Sequence, residues 1–216
     1  MPDPSVPSPS PYRWPIRILA VLILGVVAYH FATQGSVSHA SKLRRINDVP
    51  PFVLTERSGR TITNQDLRGK IWVADFIFTT CPGPCPLITA NMAKVQDAVA
   101  HDPHVQLVTF TVDPQDDTPA VLAAYANKFG ADPNRWWFLT GPEKSLDDLI
   151  ENGFYQVVQD NRGHPLEPGQ FIVTHSTSLV LVDADGVVRG SYDGIGTDGR
   201  TDLLNGIKTL EKEENP

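Results

Sequence analysis

Both cysteines of the chain fall within five residues, Cys81-Pro82-Gly83-Pro84-Cys85. A thiolate attacks disulfides and is a soft ligand for metals, so one short segment holds all the thiol chemistry available. Three residues separate the two sulfurs. That is one more than in a two-spacer redox motif, and the wider loop lets both sulfurs converge on one ion. The segment follows an apolar run, Ile71 to Phe78 (IWVADFIF), that reads as a buried strand. It precedes an amphipathic helix from Leu87 onward, with Pro86 at the first position, where a missing N–H costs nothing. The sulfurs are therefore expected at a helix N-terminus, whose unpaired N–H groups and dipole favour thiolate over thiol.

Two cysteines cannot complete a four-cysteine zinc site, so a metal here needs further ligands. Soft thiolates select Cu(I), and imidazole suits copper and zinc. The candidate third ligands are His101, His104, His164 and His175. His101 and His104 bracket a turn at the far end of the helix that the cysteines start, and read as surface residues. His164 sits in the polar loop Gln159 to Gln170 (QDNRGHPLEPGQ), with no scaffold to hold it. His175 lies in Val173-Thr174-His175-Ser176-Thr177, just before an apolar strand that would place it. On pattern alone a lone histidine beside an apolar strand reads more readily as a satisfied structural residue than as a ligand, and metal binding, thiol–disulfide exchange and an inert disulfide all stay open.

The elements around these residues alternate. Phe52 to Leu54 and Thr61 to Thr63 flank Ser58-Gly59 as a hairpin, and Ile71 to Phe78 and Val105 to Val112 read as buried strands. The cysteine helix runs to Ala100, a second helix from Ala120 to Phe129 ends at Gly130, and a third spans Ser145 to Asn152. Trp136 to Leu139 is a short strand, and Tyr155 to Val158 an extended piece. Ser178 to Val182 and Val187 to Tyr192 form a hairpin around Asp185-Gly186, and Leu203 to Glu213 is a closing helix. The fold class is α/β: a mixed central sheet flanked by helices, with an extra N-terminal hairpin.

The 216 residues, 41% hydrophobic and 20% charged, suit one globular domain with appendages. A net charge of −7 argues against nucleic acid as a partner, which requires clustered Lys and Arg. Residues 1–13 are a Pro-rich tail unable to form a core. Residues 14–32 are almost wholly apolar, and as a helix they reach about 28 Å, enough to span a bilayer core as a membrane anchor. A cleaved signal peptide ending near Ser38-His39-Ala40 is the alternative. Residues 33–50 read as a linker and 51–216 as the folded domain.

Three segments, FTTCPGPCP, TVDPQDDTP with the following LAAYANKFG, and THSTSLVLVDADG, together resemble the Sco/SenC family of membrane-tethered copper proteins with a thioredoxin-like fold. The likeness covers about residues 51–212 in matching order. It implies that Cys81, Cys85 and His175 bind one copper ion, as Cu(I) or Cu(II). It implies delivery of that copper to the dinuclear copper centre of cytochrome c oxidase subunit II, after loading by a copper donor protein. Alternatively, Cys81 and Cys85 form a redox-active disulfide pair that reduces the cysteines of that site, a thiol–disulfide oxidoreductase activity. Asp113 matches the family's aspartate before proline, as a group behind the ligands or at the partner interface; a strand-ending turn residue is the plain reading. The resemblance also implies a single-pass protein of the bacterial inner membrane, held in the bilayer by its N-terminal helix, with the soluble domain in the periplasm. The Pro-Gly-Pro spacer is stiffer than the family pattern, and the segment IVTHSTS has no proline where thioredoxin-like oxidoreductases carry one.

Three further patterns read as structural. Gly194-Ile-Gly196-Thr-Asp-Gly199 spells a dinucleotide loop but lacks the second strand and the acidic residue such a loop requires. Asp116 and Asp117 read as exposed helix-start charges. Of Trp136-Trp137, one reads as core and the other as cover for a sheet edge.

Overall fold

The computed structural model describes residues 22–26, 42–156, 158–160 and 173–214. The chain divides into two compact units, 1–41 and 42–216. In the first, Leu22–Val26 are helical. The rest of the expected tail and anchor lies outside the described residues, and among those described no helix is long and apolar enough to cross a membrane.

The second unit is built on an eight-stranded sheet. In chain order the strands are β1 (Asn47–Asp48), β2 (Val53–Glu56), β3 (Thr61–Thr63), β4 (Ile71–Ile77), β5 (Val105–Thr111), β6 (Trp136–Thr140), β9 (Ser178–Val182) and β10 (Val187–Asp193). They lie side by side as β1-β10-β9-β4-β5-β6-β2-β3. A separate pair, β7 (Val158–Asp160) and β8 (Val173–His175), is antiparallel. The helices are α1 (Cys85–Ala98), α2 (Pro119–Lys128), α3 (Glu143–Phe154) and α4 (Thr197–Glu214). β4, β5 and β6 run parallel, while β9 and β10 on one side and the β2–β3 hairpin on the other are antiparallel. The mixed sheet and the N-terminal hairpin are as the sequence predicts.

All seven residues of β4 and of β5 are buried, the pattern of central strands covered on both faces. Alternation along β4 sends Trp72 and Phe76 to one side and Asp75 to the other. Phe154 of α3 meets Trp72, Phe76 and Phe110 at 5.8, 5.2 and 5.4 Å between ring centroids. On the opposite face, Trp136 Nε1 donates to Thr109 Oγ1 at 2.8 Å, and Thr109 Oγ1 donates to Asp75 Oδ1 at 2.5 Å. α1 and α4 pack against each other there. Trp136 is core, and Trp137 is covered at the sheet's flank by Arg60 and Lys70, 5.0 and 5.1 Å from its ring.

Two boundaries differ from expectation. α4 begins at Thr197, six residues before Leu203, because Asp193 accepts hydrogen bonds from Ile195 N and Gly196 N (both 3.0 Å) and shapes the turn that enters the helix. Residues 42–50, expected as part of the linker, belong to the second unit. β1 pairs with β10, and upstream of it Leu43 N donates to Glu213 Oε1 at 2.8 Å. Arg189, which also bonds Asp183 Oδ2 (2.9 Å) and Glu213 Oε2 (2.7 Å), donates to the Leu43 carbonyl. The incoming chain is thus clamped to the end of α4 before the first strand.

Burial opposes ionisation of Glu213, but hydrogen bonds from Arg189 and Leu43 hold its carboxyl below the ordinary 4.5. A depressed folded value means that this stabilisation is complete above the unfolded value and is lost as pH falls through the lower, folded one. Glu213→Gln is therefore expected to cost about 1–3 kcal/mol at neutral pH. Urea unfolding at a series of pH values should show the gap between wild type and variant closing below about pH 4.

Candidate metal centre

The cysteine bend sits at the C-terminal edge of the parallel strands, where open α/β sheets place their ligands. After Ile77 the chain turns through Thr79 and Thr80, with Cys81 N donating to Phe78 O at 3.2 Å. Pro84 is the N-cap of α1, and Cys85 is its first residue. The helix thus begins one residue earlier than expected, and Pro86 occupies its second position. That site is equally free of a lost hydrogen bond, because the first four N–H groups of a helix have no partner within it. Cys85 is fully buried and Cys81 nearly so, and neither is in a disulfide.

The two thiols hydrogen-bond to each other. That contact, followed by burial, pushes the Cys85 thiol far above its ordinary value; the neighbouring Asp75 adds to the rise, and a backbone bond from Phe78 opposes it. The expectation of a thiolate at the helix N-terminus therefore fails for Cys85. A dipole that acts across one helical turn is outweighed by removing the sulfur from water beside a second thiol and a buried carboxyl. Thr89 Oγ1 donates to the Cys85 carbonyl at 2.9 Å and lies 3.0 Å from the Tyr125 hydroxyl, so the first turn of α1 is tied to α2.

Of the other candidate ligands, the structure describes two fully. His101 and His104 are exposed beyond the C-terminal end of α1, about 20 Å along the helix from the sulfurs. His164 lies outside the described residues. His175 is the last residue of β8, its backbone paired with Val158; the position of its imidazole lies outside what the structure describes. Among the described residues, no three His, Cys, Asp or Glu side chains form a set able to hold an ion. Asp113 is buried where the chain leaves β5, its N–H bonded to Thr111 Oγ1 at 2.9 Å.

The segment after His175 is braced from the cysteine helix. Asn91 of α1 donates through Nδ2 to Gly194 O (2.8 Å) and Ile195 O (2.7 Å), and accepts from Arg200 at 2.7 Å. Gly194 N in turn donates to Thr177 O at 2.9 Å. The glycine-rich stretch that spells a dinucleotide loop is this brace, and its glycines permit close backbone approach.

Asp117 also departs from expectation. It is 1% exposed, whereas Asp116 beside it is open to solvent. Its carboxylate accepts from Thr79 N (3.1 Å), Thr79 Oγ1 (2.5 Å) and Thr111 Oγ1 (2.5 Å). Burial raises its carboxyl above the ordinary range, against these hydrogen bonds.

The family model described as SCO1/SenC matches residues 41–210. The chain belongs to the SCO1/SenC family. It is similar to the SCO1/SenC family lipoprotein of Bacillus anthracis str. Ames, at 37% identity and a TM-score of 0.68, covering 76% of this chain and 95% of that one. BsSco, described with a disulfide switch and as a member of the Sco family of cytochrome c oxidase assembly proteins, is 29% identical at a TM-score of 0.67, covering 79% and 98%. Bradyrhizobium japonicum ScoI, solved with copper bound, is 27% identical at a TM-score of 0.61, covering 73% and 98%. The α/β fold is the thioredoxin-like arrangement of these Sco structures.

A Cβ on Gly194 would run into the Thr177 carbonyl oxygen. Backbone cannot give way as a flexible side chain does, so Gly194→Ala is expected to destabilise the fold by about 1–3 kcal/mol. Chemical unfolding checks the magnitude, and the loss of amide-exchange protection at Gly194 N checks that the Thr177 contact is the one broken.

Proposed function

We propose that this chain is a membrane-tethered copper metallochaperone that binds one copper ion through Cys81, Cys85 and His175. It supports assembly of the dinuclear copper centre of cytochrome c oxidase by passing the ion to subunit II. The observation that carries the reading is the pair of buried thiols in hydrogen-bonding contact at the end of the central strands. Two soft sulfurs already side by side need little rearrangement to share one soft cation, and Cu(I) is the ion that such donors select.

The sheet register supports His175 as the third ligand. β9 runs antiparallel to β4, with Trp72 opposite Val182 and Ala74 opposite Val180. Continuing that pairing brings Ser178 level with Phe76, so β9 begins, three residues after His175, at the sheet edge from which β4 leads into the cysteine bend. Copper in ScoI and the assembly role printed for BsSco belong to those proteins, and they support the same reading here.

Each thiol must give up its proton to bind the ion, so copper affinity rises with pH. A site of two thiolates and one imidazole leaves a face open to an incoming ligand. Release then proceeds by exchange, with a sulfur or nitrogen of the acceptor adding as one donor of the chaperone leaves. A donor protein loads the site by the same exchange in reverse. In this reading residues 1–13 are a tail, the apolar segment 14–32 is a single-pass anchor in the bacterial inner membrane, and the domain faces the periplasm. Asp113 stands behind the sulfurs or at the docking face.

A second reading rests on the same contact. Two thiols within hydrogen-bonding distance are also poised to close a disulfide, and a disulfide switch is described for BsSco. The chain would then act as a thiol–disulfide oxidoreductase that keeps the acceptor's cysteines reduced.

Anaerobic Cu(I) titration of the detergent-solubilised chain against a chromogenic chelator tests the first reading. Wild type should bind one ion per chain, and Cys85→Ser and His175→Ala should each lose tight binding. A stoichiometry far from one, or affinity unchanged in both variants, would exclude the site. In cells, full oxidase maturation supported by His175→Ala would favour the reductase.

A further inference from the structure

The buried carboxylate of Asp117 is costly to place and has no role in the ligand set. A carboxylate removed from water is tolerated only where hydrogen bonds replace its hydration. Here the replacements come from two different strands' ends. Thr79, which donates through both N–H and hydroxyl, follows β4 and stands two residues before Cys81. Thr111, which donates through its hydroxyl, ends β5 and lies opposite Ile77 in the parallel register. The turn that carries Asp117 is itself closed by Asp117 N donating to Asp113 O at 2.9 Å, while Asp113 N donates to Thr111 Oγ1 at 2.9 Å. One side chain therefore fastens the start of the cysteine bend to the end of β5 and to the 113–117 turn.

We propose that Asp117 is a positioning residue for Cys81: its carboxylate locks the cysteine bend to the turn after β5 and so fixes the spacing of the two sulfurs. The lock serves either thiol chemistry of the bend, and for copper it rests on the ligand set proposed above. Both a shared metal and a disulfide require the sulfurs held at short separation, and freeing one end of the loop lowers their effective concentration toward each other. An aspartate suits the position because two oxygens accept three donors. Asn in its place presents an NH2 group toward donors that already need an acceptor.

Asp117→Asn, Thr79→Val and Thr111→Val are compared with wild type in two measurements, with circular dichroism reporting that each variant is folded. One is the metal-free equilibrium between the Cys81/Cys85 dithiol and its disulfide in glutathione buffers. The other is Cu(I) competition against a chelator. Asp117→Asn should shift the first equilibrium toward the dithiol and weaken Cu(I) binding by about tenfold or more, the range seen when groups behind metal ligands are removed. The two valine variants should shift both equilibria in the same direction by less. Adding Thr79→Val to Asp117→Asn should cost little more, because the two remove the same contact. A folded Asp117→Asn variant with both equilibria within about twofold of wild type would overturn the proposal. If that variant does not fold, valine variants unchanged in both measurements overturn it instead. A wild type that takes up no copper would sink the copper reading alone, since the metal-free equilibrium still decides the role of Asp117.

Discussion

Two sulfurs share one buried bend, and the rest of the molecule is arranged around keeping them there. Cys85 opens α1 with no exposed surface, and its thiol is bonded to that of Cys81. Burial and the neighbouring thiol favour the neutral form of Cys85, so a metal entering there would have to displace its proton. The helix dipole, the usual source of reactive cysteines, is subordinate here because its influence is confined to one turn while desolvation acts on the whole side chain.

The position of the bend follows from the sheet. Parallel β4 and β5 bring the residues after their C-terminal ends together, and antiparallel β9 delivers the start of its own strand to the same edge. Chain segments about ninety residues apart thereby converge without a long structured connection. Two polar ties hold the edge together: Asp117 at the start of the cysteine bend, and Asn91 through Gly194 and Thr177 at the start of β9. Each uses a buried side chain to satisfy backbone groups that the irregular loops would otherwise leave unpaired.

Much of this was legible in the residues. β4 and β5 announce themselves as continuous apolar runs because strands buried on both faces have no polar side to show. Gly130 ends α2 with a φ of +67°, the left-handed geometry that its position after a periodic segment predicts. What escaped were contacts whose partners lie far away in sequence. Asp117 looks like a helix-start charge until Thr79, nearly forty residues earlier, is brought against it. The protonation of Cys85 depends on tertiary burial that a local dipole argument does not contain. Likewise α4 extends back through a glycine-rich stretch with no apolar periodicity, because Asp193 organises the turn before it. The clamp at Leu43 is made by a backbone carbonyl, which carries no sequence signature at all.

The proposed coordination set is two adjacent sulfurs and one imidazole from a distant segment. X-ray absorption spectroscopy of the chain loaded with one equivalent of Cu(I) reads that set directly. The expected copper shell has two sulfur donors and one nitrogen donor with the outer-shell scattering of an imidazole. A shell with a single sulfur, or one with no imidazole scattering, would contradict it.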